Sequence, residues 1–139
     1  MIITFKPSEI ERLYKKVEYL PAYAGPENRD RFMRNMYGSL AVIEFSFGFI
    51  RLTSYRKDYS ITAHGVFWSH KMLAGVKELT EGIAFVKEAF HVPAVEILVP
   101  AYNRGLTRLI ARLPFRKVRT LHNGLYSDTI HIDADLYRA

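Results

Sequence analysis

Apolar positions along the chain keep two different periods, and the places where the period changes delimit its elements. Met1 to Phe5 is short and β-branched, which predicts a strand closed by Pro7. Ser8-Glu9-Ile10-Glu11 has the S-x-x-E form of a capping box, and Ile10, Leu13, Tyr14 and Val17 follow at helical spacing until Pro21. Pro26 suits the first turn of a second helix, with Phe32, Met33 and Met36 on its inner face and Gly38 at its end. From Leu40 to Trp68 the texture turns to Val, Ile, Phe, Tyr and Thr, broken at Gly48 and at Arg56-Lys57-Asp58. That predicts three consecutive strands near 40–47, 49–56 and 59–68, joined as an antiparallel meander.

The helical period returns with Met72, Val76, Leu79, Ile83, Val86 and Phe90, a long third helix that ends before Pro93. Ala94 to Val99 is nearly all apolar, as a strand covered on both faces would be. Asn103 can cap a fourth helix carrying Leu106, Leu109, Ile110 and Leu113 on one side, with Pro114 as its stop. Two more strands, about 116–122 and 127–134, are joined through His122-Asn123-Gly124, a hairpin-type signal. The order β-α-α-β-β-β-α-β-α-β-β describes a mixed sheet flanked by helices, an α/β (α+β) arrangement. No linker, repeat or low-complexity tract interrupts it, so residues 1–139 are read as a single domain.

Composition adds exclusions. The chain has no cysteine, which removes disulfides, thiolate nucleophiles and Cys-ligated zinc. Its longest apolar stretch, Leu40 to Leu52, is interrupted by Glu44, Ser46 and Arg51 and is too short to span a bilayer as a helix. The start lacks the basic and small-residue features of a secretory signal, so a cytoplasmic location is expected. Twenty Lys and Arg against fourteen Asp and Glu give a net charge of +6, which favours anionic partners. Six of the basic residues, Arg104, Arg108, Arg112, Arg116, Lys117 and Arg119, fall between Ala101 and Thr120, where there is no acid. This predicts one basic ridge on the fourth helix and the strand after it.

The order of elements over the whole chain resembles the GNAT superfamily of N-acetyltransferases. At the residue level the resemblance rests on the C-terminal half. Val95-Glu96-Ile97-Leu98-Val99 leads to Asn103, Pro114-Phe115 stands where the family has Gly-Phe, and Asp128-Thr129-Ile130-His131-Ile132 with Leu136 matches the closing hairpin. The resemblance implies transfer of an acetyl group from acetyl-CoA to an amine. The pantetheine arm would pair with backbone around Val66, Phe67 and Trp68, and its middle would lie near Asn103. It also exposes departures. The family cradles the coenzyme pyrophosphate on a glycine-rich loop, where N–H groups at a helix N-terminus meet phosphate oxygens. Phe67 to Gly75 lacks that Gly-x-Gly; Lys71 can attract a phosphate there, or simply be solvated beside a capping Ser69. Many members also carry a tyrosine that protonates the departing thiolate, and its position falls on Ile110, which has no proton to give.

A general base must take a proton from the attacking ammonium. His64 on the fourth strand, with an ordinary pKa near ~6.5, and Glu44 on the second are the candidates, against the plainer reading of each as a paired or exposed strand residue. Two other classes remain open. One is the same fold without catalysis, a binding or structural protein of the kind found among small bacteriophage-encoded virion and assembly proteins, located in the host cytoplasm or the virion. The other is a nucleic-acid-binding module that tracks phosphates with Arg104, Arg108, Arg112 and Arg116. His131 and Asp133 are two apart on one strand face with His122 across the hairpin, but with no further ligand at diagnostic spacing and no cysteine they read as a polar outer face and not a metal site.

Overall fold

The computed structural model describes residues 2–4, 7–20, 23–68, 75–101, 103–127 and 130–139, with backbone alone for 2–4, 123–127 and 130–132. In chain order the elements are β1 (Ile2–Thr4), α1 (Pro7–Val17), α2 (Pro26–Tyr37), β2 (Ala41–Phe45), β3 (Gly48–Arg56), β4 (Ser60–Phe67), α3 (Val76–Ala89), β5 (Val95–Pro100), α4 (Arg104–Ile110), β6 (Arg116–Ser127) and β7 (Ile130–Arg138). The strands form one sheet in the order β1-β2-β3-β4-β5-β7-β6. Every neighbouring pair is antiparallel except β4 and β5, which run parallel.

Side-chain alternation sends each strand's residues to two differently covered faces. Ile43, Phe45, Ile50, Leu52, Ile61 and Val95 meet Leu79, Ile83 and Val86 of α3 and Leu109 and Ile110 of α4. On the other face Val42 and Phe49 meet Ile10, Leu13 and Val17 of α1 and Phe32 and Met36 of α2. Strand β2 is covered on both faces and therefore buried along its whole length. Each fully buried Leu or Phe in these layers contributes about 1.5–3 kcal/mol of transfer free energy.

The β4–β5 junction is the weak seam of the sheet. Parallel pairing is confined to Ile61↔Val95 and Thr62↔Glu96, after which the two strands part. From Gly65 to Phe67 on one side and Leu98 to Pro100 on the other, a wedge opens towards the C-terminal ends of both strands.

Several boundaries differ from the sequence reading. Helix α1 begins at Pro7, with proline in its favoured first position, so Ser8 lies in the first turn and not at the cap. Helix α3 is described from Val76, and Met72 lies outside the described residues. Helix α4 ends at Ile110, so Leu113 reaches the core from a following turn. The His122-Asn123-Gly124 signal does not turn the chain. Strand β6 runs through it, and the ladder to β7 is irregular between Leu121 and Leu125, as at a β-bulge, where an unpaired residue is tolerated.

Candidate functional site

The wedge offers unpaired backbone on its β4 edge. Trp68 N donates to Phe47 O at 3.0 Å, and residues facing each other across an antiparallel ladder alternate between bonded and non-bonded pairs. With Phe49 opposite Val66, that alternation turns the Val66 N–H and C=O towards β3 and those of Gly65 and Phe67 towards β5. Ile61 N donating to Ala94 O at 3.2 Å fixes the same parity, since odd-numbered β4 residues face β5. Beyond Thr62 the opposing strand has moved away, so that among the described residues Gly65 and Phe67 turn their main-chain groups into the wedge without a partner on β5.

A cleft of about 260 Å³ occupies this place, lined by Leu20, Tyr23, Gly65, Val66, Phe67, Asn103, Gly105 and Leu106. Asn103 is there for a local reason. Its Oδ1 accepts from Leu106 N at 3.0 Å and its carbonyl accepts from Thr107 Oγ1 at 2.9 Å, which starts α4 at the mouth of the wedge. Of the backbone residues expected around the coenzyme, Val66 and Phe67 line the cleft. Trp68 does not: its N–H is bonded to Phe47, its carbonyl accepts from Tyr19 Oη at 3.1 Å, and its ring lies under Lys16, 4.6 Å from ring centre to Nζ. Lys71 and Ser69 lie outside the described residues.

A second cavity of about 240 Å³ adjoins the first on the α1–α2 side. Tyr23, Arg31, Asn35, Arg51 and His64 supply its polar lining, and Phe32, Met36 and Phe49 its apolar floor. Tyr23, Gly65 and Val66 border both cavities, so the two spaces meet at the splayed end of β4. Burial raises the Tyr23 pKa, an effect the nearby Arg51 charge opposes, and the phenol stays protonated at neutral pH. His64 lies opposite Arg51 in the β3–β4 register and shares a 3.0 Å hydrogen bond between its Nε2 and Thr53 Oγ1. Burial first, and the Arg51 charge second, hold its pKa down to about 4, so the imidazole is neutral at physiological pH.

Glu44 is placed quite differently. It is buried under α1, where Arg12 grips both carboxylate oxygens and Lys16 Nζ approaches Oε1 at 3.2 Å. The Arg12 hydrogen bonds are the largest influence holding its pKa below the usual carboxylate range, against the effect of burial. Glu44 borders neither cavity and serves as the anchor between β2 and α1. Ile110 is 2% exposed and sits in the α3–α4 core, away from either cavity. Sequence reasoning missed Tyr23 and Arg51. Nothing in the local pattern marks Tyr23, and Arg51 acquires meaning only once the register sets it beside His64.

The predicted basic ridge divides in two. Arg104 and Arg108 are exposed on α4, with Arg112 in the turn after it. Arg116 and Arg119 belong to the opposite face, in an open groove with Arg56, Glu96 and Arg138, where Thr62, Glu96, Arg138 and Arg116 follow one another across four strands. Lys117 is taken by Asp135 at 3.3 Å. Among the described residues no group of three His, Cys, Asp or Glu side chains can hold a metal ion; His122 approaches Asp133 at 3.5 Å, and the side chain of His131 is not among them. Nor is any described helix long and apolar enough to cross a membrane.

No protein-family model matches the sequence, and no curated protein matches it. Solved structures match the fold over almost its full length. A chimera of the spermidine N-acetyltransferase SpeG from Vibrio cholerae and hSSAT has a TM-score of 0.71 at 9% identity, covering 99% of this chain and 95% of that one. A GNAT-family acetyltransferase from Bacillus anthracis gives 0.70 at 14% identity, covering 99% and 92%. Arabidopsis thaliana NAA60, in complex with a bisubstrate analogue, gives 0.67 at 18% identity, covering 99% and 97%. The chain has the fold of GNAT acetyltransferases.

Proposed function

We propose that this protein transfers an acetyl group from acetyl-CoA to a primary amine. The observation that carries the reading is the meeting of two cavities at the parted end of β4. A donor lying in the wedge and an acceptor lying against α2 would approach each other at Gly65, Val66 and Tyr23. The free main-chain groups of Gly65 and Phe67 are suited to pair with the amides of a pantetheine arm, as an added strand pairs with a sheet edge. NAA60 has been solved with acetyl-CoA, which supports the same donor here.

The chemistry required is modest. The acceptor ammonium loses a proton, its nitrogen lone pair forms a C–N bond to the thioester carbonyl carbon, and the C–S bond breaks as the departing sulfur takes up a proton while the nitrogen releases its second proton to the group that protonated the sulfur. His64 is neutral and able to receive the first proton, although its low pKa makes it a weak base until a neighbouring anion offsets Arg51. Among the three residues common to both cavities, only Tyr23 has a side-chain proton to give, and we assign it the second transfer in place of the tyrosine absent at Ile110. No proton transfer is assigned to Glu44.

A second reading, a GNAT-fold binding or structural protein without catalysis, such as a virion component, is favoured by Ile110 being core and not site. Thermal unfolding with acetyl-CoA separates the two. A bound donor raises the melting temperature by mass action, and the transfer reading expects a rise that saturates with ligand. No rise at millimolar acetyl-CoA would sink it.

A further inference from the structure

The cavity on the α1–α2 side carries a positive charge that the protein does not answer. Arg51 is partly buried on β3, and among the described residues no carboxylate comes within ion-pair distance of it. Elsewhere several cations of the same fold are paired with carboxylates: Arg12 and Lys16 with Glu44, Arg56 with Glu96 and, at the surface, Arg29 with Glu11. Arg31 adds a second cation at the rim, and among the described residues neither Asp nor Glu lines the space. A half-buried guanidinium without a counter-charge is costly, because it gives up hydration without a compensating partner. Its planar fork is matched by a carboxylate, which it can bind through two parallel hydrogen bonds.

We propose that the acceptor amine also carries a carboxylate, held by Arg51 with Arg31 at the rim, and that the acceptor is of amino-acid size. This rests on reading the wedge as an acetyl-transfer site. A cavity of about 240 Å³ admits a molecule of that size and is small for a long one. A polycation would face Arg31 and Arg51 with nothing to neutralise it. A bound carboxylate would also offset the Arg51 charge beside His64 and so raise the affinity of the imidazole for a proton, making it a better base only when the acceptor is in place.

The test compares matched amines, alanine and glutamate against their amides and methyl esters, with spermidine as the polycation. The free acids are expected to be acetylated with kcat/KM about tenfold or more above their amides, the scale of hydrogen bonds to a charged group. Arg51→Met should erase that preference while leaving the acetyl-CoA melting shift intact. Equal rates for acids and amides, or a preference that survives Arg51→Met, would overturn the inference and leave the transfer reading standing. If Arg51→Met does not fold, Arg51→Lys keeps the charge but loses the fork, and the preference should fall several-fold. If acetyl-CoA produces no shift, transfer itself fails, and glutamate binding read from the His64 imidazole resonances decides. Binding that requires Arg51 supports the carboxylate site, and its absence ends it.

Discussion

His64 illustrates how two neighbours set one side chain's chemistry. Burial and the Arg51 charge both disfavour its protonated form, lowering its pKa from 6.5 to about 4. Because the unfolded chain binds a proton at this site more readily than the folded one, stability rises with pH across the interval. The contribution is complete above about 6.5 and is lost as pH falls towards 4. Glu44 and Asp135, also lowered, start from 4.5 and 3.8 and lose their contributions only at more acidic pH. Between pH 7 and 5 the wild-type protein is therefore expected to lose more stability than His64→Gln, by about 1 kcal/mol after allowance for solvent screening. Urea midpoints of both proteins at the two pH values measure this, and equal losses would remove His64 as the responsible group.

Between elements, the entry to α3 depends on a missing side chain. The ring of Phe47 stacks between Phe45 at 5.8 Å and Phe67 at 5.7 Å, and a Cβ on Gly75 would overlap it. Phe47 is 4% exposed, so the ring has little room to yield. Gly75→Ala should gain up to about 1 kcal/mol from the unfolded chain but lose about 1–3 kcal/mol to overpacking. The net expectation is a lower denaturation midpoint, and an unchanged or higher midpoint would show that the aromatic stack can shift. Contacts of this kind explain what the sequence could and could not disclose. The element order was legible because period, prolines and the Asn103 cap are local signals. The turn at His122-Asn123-Gly124 was misplaced because Asn and Gly suit a bulge as well as a turn, and only pairing with β7 decides between them. The site was legible only in part. Val66, Phe67, Asn103 and His64 border the cavities, whereas Glu44 became an anchor for α1 and Arg51 went unnoticed, because both outcomes depend on partners more than ten residues away.

At the scale of the molecule, two sub-sheets, β1 to β4 and β5 with β7 and β6, share a single short parallel seam. The second sub-sheet is closed at its base by Ala139, which exchanges both backbone hydrogen bonds with Val95 at 2.9 Å. A ligand in the wedge would replace the pairing that β4 and β5 do not make, and amide exchange can read this residue by residue. In the free protein the Val66 amide faces β3 and should exchange slowly, while Gly65 and Phe67 face the wedge and should exchange quickly. Acetyl-CoA should slow Gly65 and Phe67 and leave Val66 nearly unchanged, because only the first two have free groups to offer. Uniform slowing of all three would indicate general stabilisation and not added pairing, and no slowing at Gly65 and Phe67 would move the donor out of the wedge. The alternation matters more than its size, since no ligand bound on a helical face would slow alternate residues of one strand.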